Sequence, residues 1–149
     1  MNAFELLKSD HERVSEFFER LEETEVDDLA MRQNWFARLK NELEIHAHLE
    51  ETIFYPALKQ ASEMSELVLE AIDEHQEVKL LLIELDGMAV DNEEWGGRVA
   101  DLKEAVEHHV AEEEGEMFDR AQDVLTQAEI DQLGQRMAGE KQKQLAAAR

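Results

Sequence analysis

The chain contains no cysteine, which excludes disulfide bonds and thiolate-ligated metal sites. It has one proline, six glycines and no low-complexity segment, a composition that argues against extensive disorder. Basic residues are few, 15 against 37 acidic residues, and the net charge of -22 disfavours nucleic acids and anionic membranes as partners. No signal peptide or apolar run of transmembrane length is present, so we expect a cytoplasmic protein without membrane contact.

Apolar residues recur at spacings of three and four along most of the chain, which is the period of amphipathic helices. The pattern predicts four long helices, over residues 2–22, 28–59, 65–88 and 94–124. Pro56 falls inside the second helix and is expected to kink it, because proline cannot donate a hydrogen bond to the carbonyl of Thr52.

Two residue pairs have the spacing of helix-capping boxes, Asn2 with Glu5 and Thr126 with Glu129. The second pair predicts a short fifth helix. Long helices joined by short turns indicate an all-α fold, an up-down-up-down four-helix bundle with a short C-terminal helix. We expect one domain over residues 1–138 and a fraying Gln- and Ala-rich tail over 139–149.

Six polar residues interrupt the apolar stripes where the pattern calls for Leu or Val, and the expectation is that all six point inward. They are His11, His46, Glu50, His75, His109 and Glu113. His46 and Glu50 are four residues apart, as are His109 and Glu113, so each pair shares one helix face. The remaining histidines, His48 and His108, fall on polar faces and are expected at the surface.

The six residues repeat along the chain. His11 and His75 are 64 apart, and the two HxxxE pairs are 63 apart. The flanking sequences agree as well, with AspHisGluArgVal at 10–14 matching GluHisGlnGluVal at 74–78. Within each predicted hairpin, the lone histidine and the HxxxE pair lie at similar distances from the turn. Two hairpins packed side by side would therefore bring all six groups into one layer.

A buried layer of two carboxylates and four imidazoles is costly without a cation, because each unpaired buried ion costs several kcal/mol. Six such side chains exceed the needs of one tetrahedral ion, so the arithmetic suggests two metals, each with two histidines and an oxygen from each glutamate. Mixed nitrogen and oxygen ligation with open positions suits non-haem iron, with manganese or zinc as alternatives. The competing interpretation is a polar core network with ordered water.

This constellation resembles the hemerythrin-like, HHE cation-binding family. The similar segments are SDHERV, IHAHLEETIFYPAL, DEHQEV and HHVAEEEGEMF, and the resemblance covers about residues 1–138. It implies a four-helix bundle with two iron ions, joined by a bridging oxo or hydroxo group. The ligands carried over by position are His11, His46, Glu50, His75, His109 and Glu113, with Glu50 and Glu113 bridging.

One position departs from the family pattern. Oxygen-carrying hemerythrins have a fifth histidine one turn after the lone histidine of the third helix, and here that position is Lys79. Lys79 is expected at a solvated edge, with approach to the site as the alternative. Tyr55 lies off the ligand stripe and is expected to pack elsewhere.

The resemblance implies a diiron protein that binds O2 or peroxide. Alternative roles are a peroxidase, catalase-like or ferroxidase enzyme, an oxygen- or iron-responsive sensor, or an interaction bundle without metal. No residue is assigned a catalytic role from the sequence.

Overall fold

The computed structural model describes residues 1–148, and helices are the only regular structure in that range. None of these helices is long and apolar enough to span a bilayer. The α-helices are α1 (Ala3–Glu22), α2 (Leu29–Leu49), α3 (Tyr55–Lys59), α4 (Ser65–Asp86), α5 (Trp95–Glu112), α6 (Phe118–Val124) and α7 (Gln127–Ala147). A π-helical segment, Glu50–Phe54, joins α2 to α3, and a second, Glu113–Met117, joins α5 to α6. A 3-10 turn at Ser62–Met64 precedes α4.

The helices form the predicted bundle of two antiparallel hairpins. α1 packs on α2, α4 packs on α5, and α7 lies across α1 and α2 as the C-terminal helix. Both predicted capping boxes are present: Asn2 and Glu5 bond reciprocally at the start of α1, and Thr126 and Glu129 do so at the start of α7. These bonds satisfy amide groups that a helix leaves unpaired at its first turn.

Two apolar clusters divide the interior. The first lies toward α3, α6 and α7 and includes Leu7, Leu49 and Phe118. The second lies toward the α1–α2 and α4–α5 turns and includes Val14, Leu43 and Leu102. In every long helix of the bundle the predicted polar residues fall between the two clusters, so a polar layer crosses a bundle that is apolar above and below it.

The helix containing Pro56 changes pitch before the proline. Along Glu50–Phe54 the hydrogen bonds span five residues, and the amide of Tyr55 donates to the carbonyl of Glu50. The second π segment, Glu113–Met117, has no proline near it. Proline is therefore not the shared cause of the pitch change. What the two segments share is their start at the glutamate of an HxxxE pair, and π turns are often found at functional sites.

The C-terminal helix is longer than the sequence indicated. α7 continues through Gly139 to Ala147, so the boundary expected at 138/139 falls inside a helix, and the tail residues 139–147 are helical. Ile130, Leu133 and Met137 bury the inner face of α7 against the first apolar cluster. At Gly134 the helix crosses the N-terminus so closely that an added Cβ would lie 2.5 Å from the Met1 carbonyl oxygen.

Gly134→Ala is expected to lower the melting temperature, because the Cβ would overlap backbone atoms that cannot move aside as a side chain can. Overpacking of this kind costs about 1–3 kcal/mol. Gly139→Ala is the matched control, since nothing lies within 4 Å of its added Cβ, and alanine should stabilise the helix there by about 0.5–1 kcal/mol. Thermal unfolding of both variants measures the difference, and equal melting temperatures would contradict the close crossing.

Candidate metal centre

All six predicted residues lie in the polar layer and are buried, none more than 7% exposed. Their ligand-type atoms form two groups in which every atom lies within 4.8 Å of the others. One group contains His11, His46, Glu50 and Glu113, and the other contains Glu50, His75 and His109. Glu50 belongs to both groups, so the layer is one continuous cluster with two centres.

The two carboxylates connect the halves of the layer in different ways. Glu50 Oε1 lies 3.3 Å from His46 Nε2 and 3.0 Å from His75 Nε2, so one oxygen contacts both halves. Glu113 divides its oxygens, with Oε1 3.1 Å from His11 Nε2 and Oε2 3.3 Å from His109 Nε2. Each glutamate therefore reaches histidines from both hairpins, as a bridging carboxylate must.

A second set of carboxylates orients the histidines from outside. His46 Nδ1 donates to Asp10 at 2.9 Å, and His109 Nδ1 donates to Glu74 at 2.8 Å. The lone histidines are held across the hairpins, since His75 Nδ1 lies 2.9 Å from Glu51 Oε2 and His11 Nδ1 lies 2.6 Å from Glu114 Oε2. All four imidazoles thus use Nδ1 outward and turn Nε2 to the centre, an arrangement typical of metal-binding histidines.

Sequence reasoning missed these four outer carboxylates, although the repeat carried a signal for them. An acidic residue precedes each lone histidine, Asp10 and Glu74, and another follows each inner glutamate, Glu51 and Glu114. Because an acidic residue occurs at the same place in both halves of the repeat, these four residues could be distinguished from the other acidic residues among the 37 in the chain.

Four buried polar atoms at the centre lack a well-directed hydrogen bond, although His11 Nε2 lies 3.1 Å from Glu113 Oε1 and His46 Nε2 lies 3.3 Å from Glu50 Oε1. They are His11 Nε2, His46 Nε2, Glu50 Oε2 and Glu113 Oε1. Each buried polar atom left unpaired costs about 1–3 kcal/mol. Two nitrogens and two carboxylate oxygens, converging and unpaired, form a donor set that a divalent cation satisfies. The residues of the layer therefore fit a metal.

Tyr55 lies in the layer, and the expectation that it packs elsewhere is wrong. Its hydroxyl lies 2.7 Å from Glu113 Oε2 and 3.1 Å from Glu50 Oε1. The same oxygen is 3.3 Å from His75 Nε2 and 3.4 Å from His109 Nε2. Burial, followed by the charges of Glu50 and Glu113, raises the pKa of Tyr55 far above its usual value. The phenol therefore stays protonated and donates to the carboxylates.

The π segment explains this error. In a uniform α-helix, a residue five positions after Glu50 points about 140° away from it. The π turn holds one extra residue, so Tyr55 takes roughly the direction of a fourth residue, about 40° from Glu50. The position corresponding to Tyr55 in the second half is Phe118, which packs on Phe4 in the first apolar cluster, so the layer has a phenol on one side only.

Lys79 does not reach the centre. Its Nζ lies 3.2 Å from Glu51 Oε1, the carboxylate that orients His75, and its side chain is 44% exposed. Lys79 therefore lies at the solvated edge expected from the sequence. His48 and His108 are also outside the layer, where they contact Glu140 and Glu112 respectively.

Buried charge shifts the pKa values of groups within the layer. Burial alone lowers the pKa of His46, but the charge of Glu50 and the hydrogen bond to Asp10 outweigh it and raise that pKa to about 10. The pKa of His109 is likewise lowered by burial but raised more by the charge and hydrogen bond of Glu113. Burial raises the pKa of Glu50, and the charge of His46 brings it well below its usual range. Without metal, protons on His46 and His109 therefore balance the inner carboxylates.

The fold and the site together define a helical bundle with a buried histidine–carboxylate cluster, and the sequence matches that of a known protein family. Residues 2–121 match the Hemerythrin HHE cation binding domain, and the chain belongs to that family.

A solved structure supports the same assignment. It is a hemerythrin HHE cation-binding domain-containing protein from Mycobacterium kansasii, an Rv2633c homologue, with 30% identity and a TM-score of 0.88. The alignment covers 99% of this chain and 90% of that one.

A curated relative, named DNA nickase, comes from Nostoc sp. (strain PCC 7120 / SAG 25.82 / UTEX 2576). It is 27% identical over 143 residues, which are 96% of this chain and 40% of the relative. The chain thus spans well under half the length of that protein.

Proposed function

We propose that the chain is a non-haem diiron protein that binds peroxide or O2 and breaks down peroxide. In this proposal His11 and His46 ligate one iron, His75 and His109 ligate the other, and Glu50 and Glu113 bridge them. The observation that carries the proposal is the convergence of unpaired Nε2 and carboxylate oxygen atoms between four imidazoles oriented from outside. Mixed nitrogen and oxygen donors favour iron, and manganese or zinc are the alternatives for the experiment to exclude.

Peroxide breakdown is favoured over reversible oxygen carriage by two features of the His75–His109 half. No fifth histidine is supplied at position 79, because the Lys79 head group lies on Glu51 at the edge. A protonated phenol lies beside both bridging candidates, where Tyr55 donates to Glu50 and Glu113. When bound, the iron pair would take two electrons from one peroxide and give two to another, so that two hydrogen peroxide molecules would yield one O2 and two waters. The chain supplies a proton donor, four fixed imidazoles and a site enclosed by apolar residues.

We infer no nucleic-acid role for this chain from the relative named DNA nickase. The chain matches 40% of that protein, and its own net charge of -22 repels phosphate groups.

Tyr55→Phe is expected to keep both iron ions but to slow oxygen evolution from hydrogen peroxide by about 10–100-fold, the range found for residues that support a metal site from outside. Only the hydroxyl is removed, and phenylalanine already stands at the corresponding position 118. Metal analysis and an oxygen electrode measure the two effects. Tyr55→Phe protein that has both irons and evolves oxygen at the full rate would remove the phenol from the mechanism. Iron-loaded native protein that evolves no oxygen would overturn peroxide breakdown.

A further inference from the structure

An apolar cavity of about 240 Å³ lies on the face of the polar layer opposite Tyr55. All four layer histidines contribute to its lining, so it gives direct access to the proposed metal positions. The walls are aliphatic and come from four helices: Val14, Leu43, Val78, Leu82, Val106 and Val110. Tyr55 belongs to the apolar cluster on the other side, so the layer is closed below by that cluster and open above to this cavity.

The cavity is larger than hydrogen peroxide or O2 requires. A water molecule takes about 30 Å³ of liquid volume, and a buried apolar cavity of about 150 Å³ is enough to bind benzene. A volume near 240 Å³ therefore accommodates a benzene-sized body together with a reacting group of two oxygens. A small polar peroxide would leave most of the aliphatic wall without contacts.

The rim of the cavity offers no free positive charge. Among the described residues that line it, Lys79 is the only lysine or arginine, and its charge is paired with Glu51 at 3.2 Å. Glu44, also in the lining, is paired with Lys40 at 3.8 Å. A carboxylate ligand such as a fatty acid therefore finds no free counter-charge at the rim, whereas a neutral molecule needs none.

We propose that this cavity binds neutral organic hydroperoxides with a compact apolar body, their O–O group facing the four histidines. The inference rests on the proposed function, of which it names the substrate class. In the reaction the O–O bond breaks and the hydroperoxide takes up two electrons and two protons, giving one alcohol and one water. The two electrons and two protons come from an added organic reductant of the ascorbate or hydroquinone class, which is oxidised to its dehydro or quinone form.

Binding is tested without turnover by titrating the iron-loaded protein with 2-phenyl-2-propanol, the neutral alcohol formed from cumene hydroperoxide. We expect saturable binding by calorimetry, and at least tenfold weaker binding of ethanol, a neutral alcohol without the aromatic ring. Val78→Phe fills the cavity and is expected to weaken alcohol binding at least tenfold, with Ala47→Leu as a second filling variant. Leu80→Phe, on the exposed face of the same helix, is the matched control and should bind as the native protein does.

Turnover then separates this inference from the proposed function. With reductant present, kcat/KM for cumene hydroperoxide should exceed that for hydrogen peroxide by at least about tenfold, because burial of only two CH2-sized groups, at about 0.8 kcal/mol each, already gives that factor. Absence of alcohol binding, or equal binding by native and Val78→Phe proteins, would overturn the cavity assignment even if hydrogen peroxide is consumed. Alcohol binding that Val78→Phe abolishes, with no turnover of either peroxide, would support the cavity and overturn the proposed function.

Discussion

Glu50→Ala is expected to abolish binding of both metal ions, with a loss of affinity of at least about a hundredfold. Losing a supporting residue outside a metal site already costs about 10–100-fold, and Glu50 contributes to both ligand groups. The substitution also leaves His46 without its main counter-charge in a fully buried position. Breaking a buried ion pair from one side costs about 3–5 kcal/mol, so the metal-free variant should also melt at a lower temperature.

The measurement is metal content per chain after loading with ferrous iron and gel filtration. Glu50→Gln keeps the side-chain volume and separates loss of a ligand from loss of packing. Glu104→Ala is the matched control, because Glu104 is an exposed carboxylate on the polar face of α5. Full loading of Glu50→Ala, or equal loss in Glu104→Ala, would contradict the assignment of Glu50 as the shared ligand.

Metal removal is expected to lower the melting temperature by about 10 °C at neutral pH. A ligand present at about 1,000 times its Kd stabilises the folded state by about 4 kcal/mol, and each kcal/mol is worth about 2–4 °C for a chain of this size. The reason lies in the layer, where the proposed cations would satisfy four buried atoms that lack well-directed hydrogen bonds. A melting curve that is the same after verified metal removal would count against the site.

The metal-free protein should also lose stability as the pH rises. The pKa of His46 is raised from 6.5 to about 10 in the folded state, so its contribution is complete below pH 6.5 and is lost as the pH rises through 10. The pKa of His109 is also raised, so its contribution to stability is likewise lost as the pH rises. In the proposed metal-bound form, Nε2 of both rings would bind metal instead of a proton, so this decline should be absent. If the melting temperatures of the metal-free and metal-bound forms changed equally with pH between 6.5 and 10, the link between His46 protonation and stability would be refuted.

Metal binding near neutral pH should accordingly release two protons, one each from His46 and His109. Calorimetric titration in buffers of different ionisation enthalpy gives this number directly.

The bundle and the six histidines and glutamates of the layer could be predicted from the sequence because both depend on a constant helical period. Val14 and Leu43 share stripes with His11 and His46, so a polar residue on an apolar stripe can be recognised as inward-facing without coordinates. The repeat at 63 and 64 residues then relates the two halves. None of this requires knowledge of contacts between distant parts of the chain.

Tyr55 could not be placed in this way because the constant period fails at Glu50–Phe54. One extra residue in that turn changes the direction of every side chain that follows it in the helix. The sequence carries no signal of the insertion.

The length of α7 was missed for a different reason. Its last turns are polar and depend on tertiary contacts, in which Lys141 bonds to the buried Asp10 and Glu140 contacts His48.

The most direct test is anomalous diffraction at the iron absorption edge from crystals of the iron-loaded protein. Two peaks are expected within the polar layer, one beside His11 and His46 and the other beside His75 and His109, with both next to Glu50 and Glu113. A layer without a peak, or iron found only at the exposed Glu74–His108–Glu112 group, would contradict this expectation.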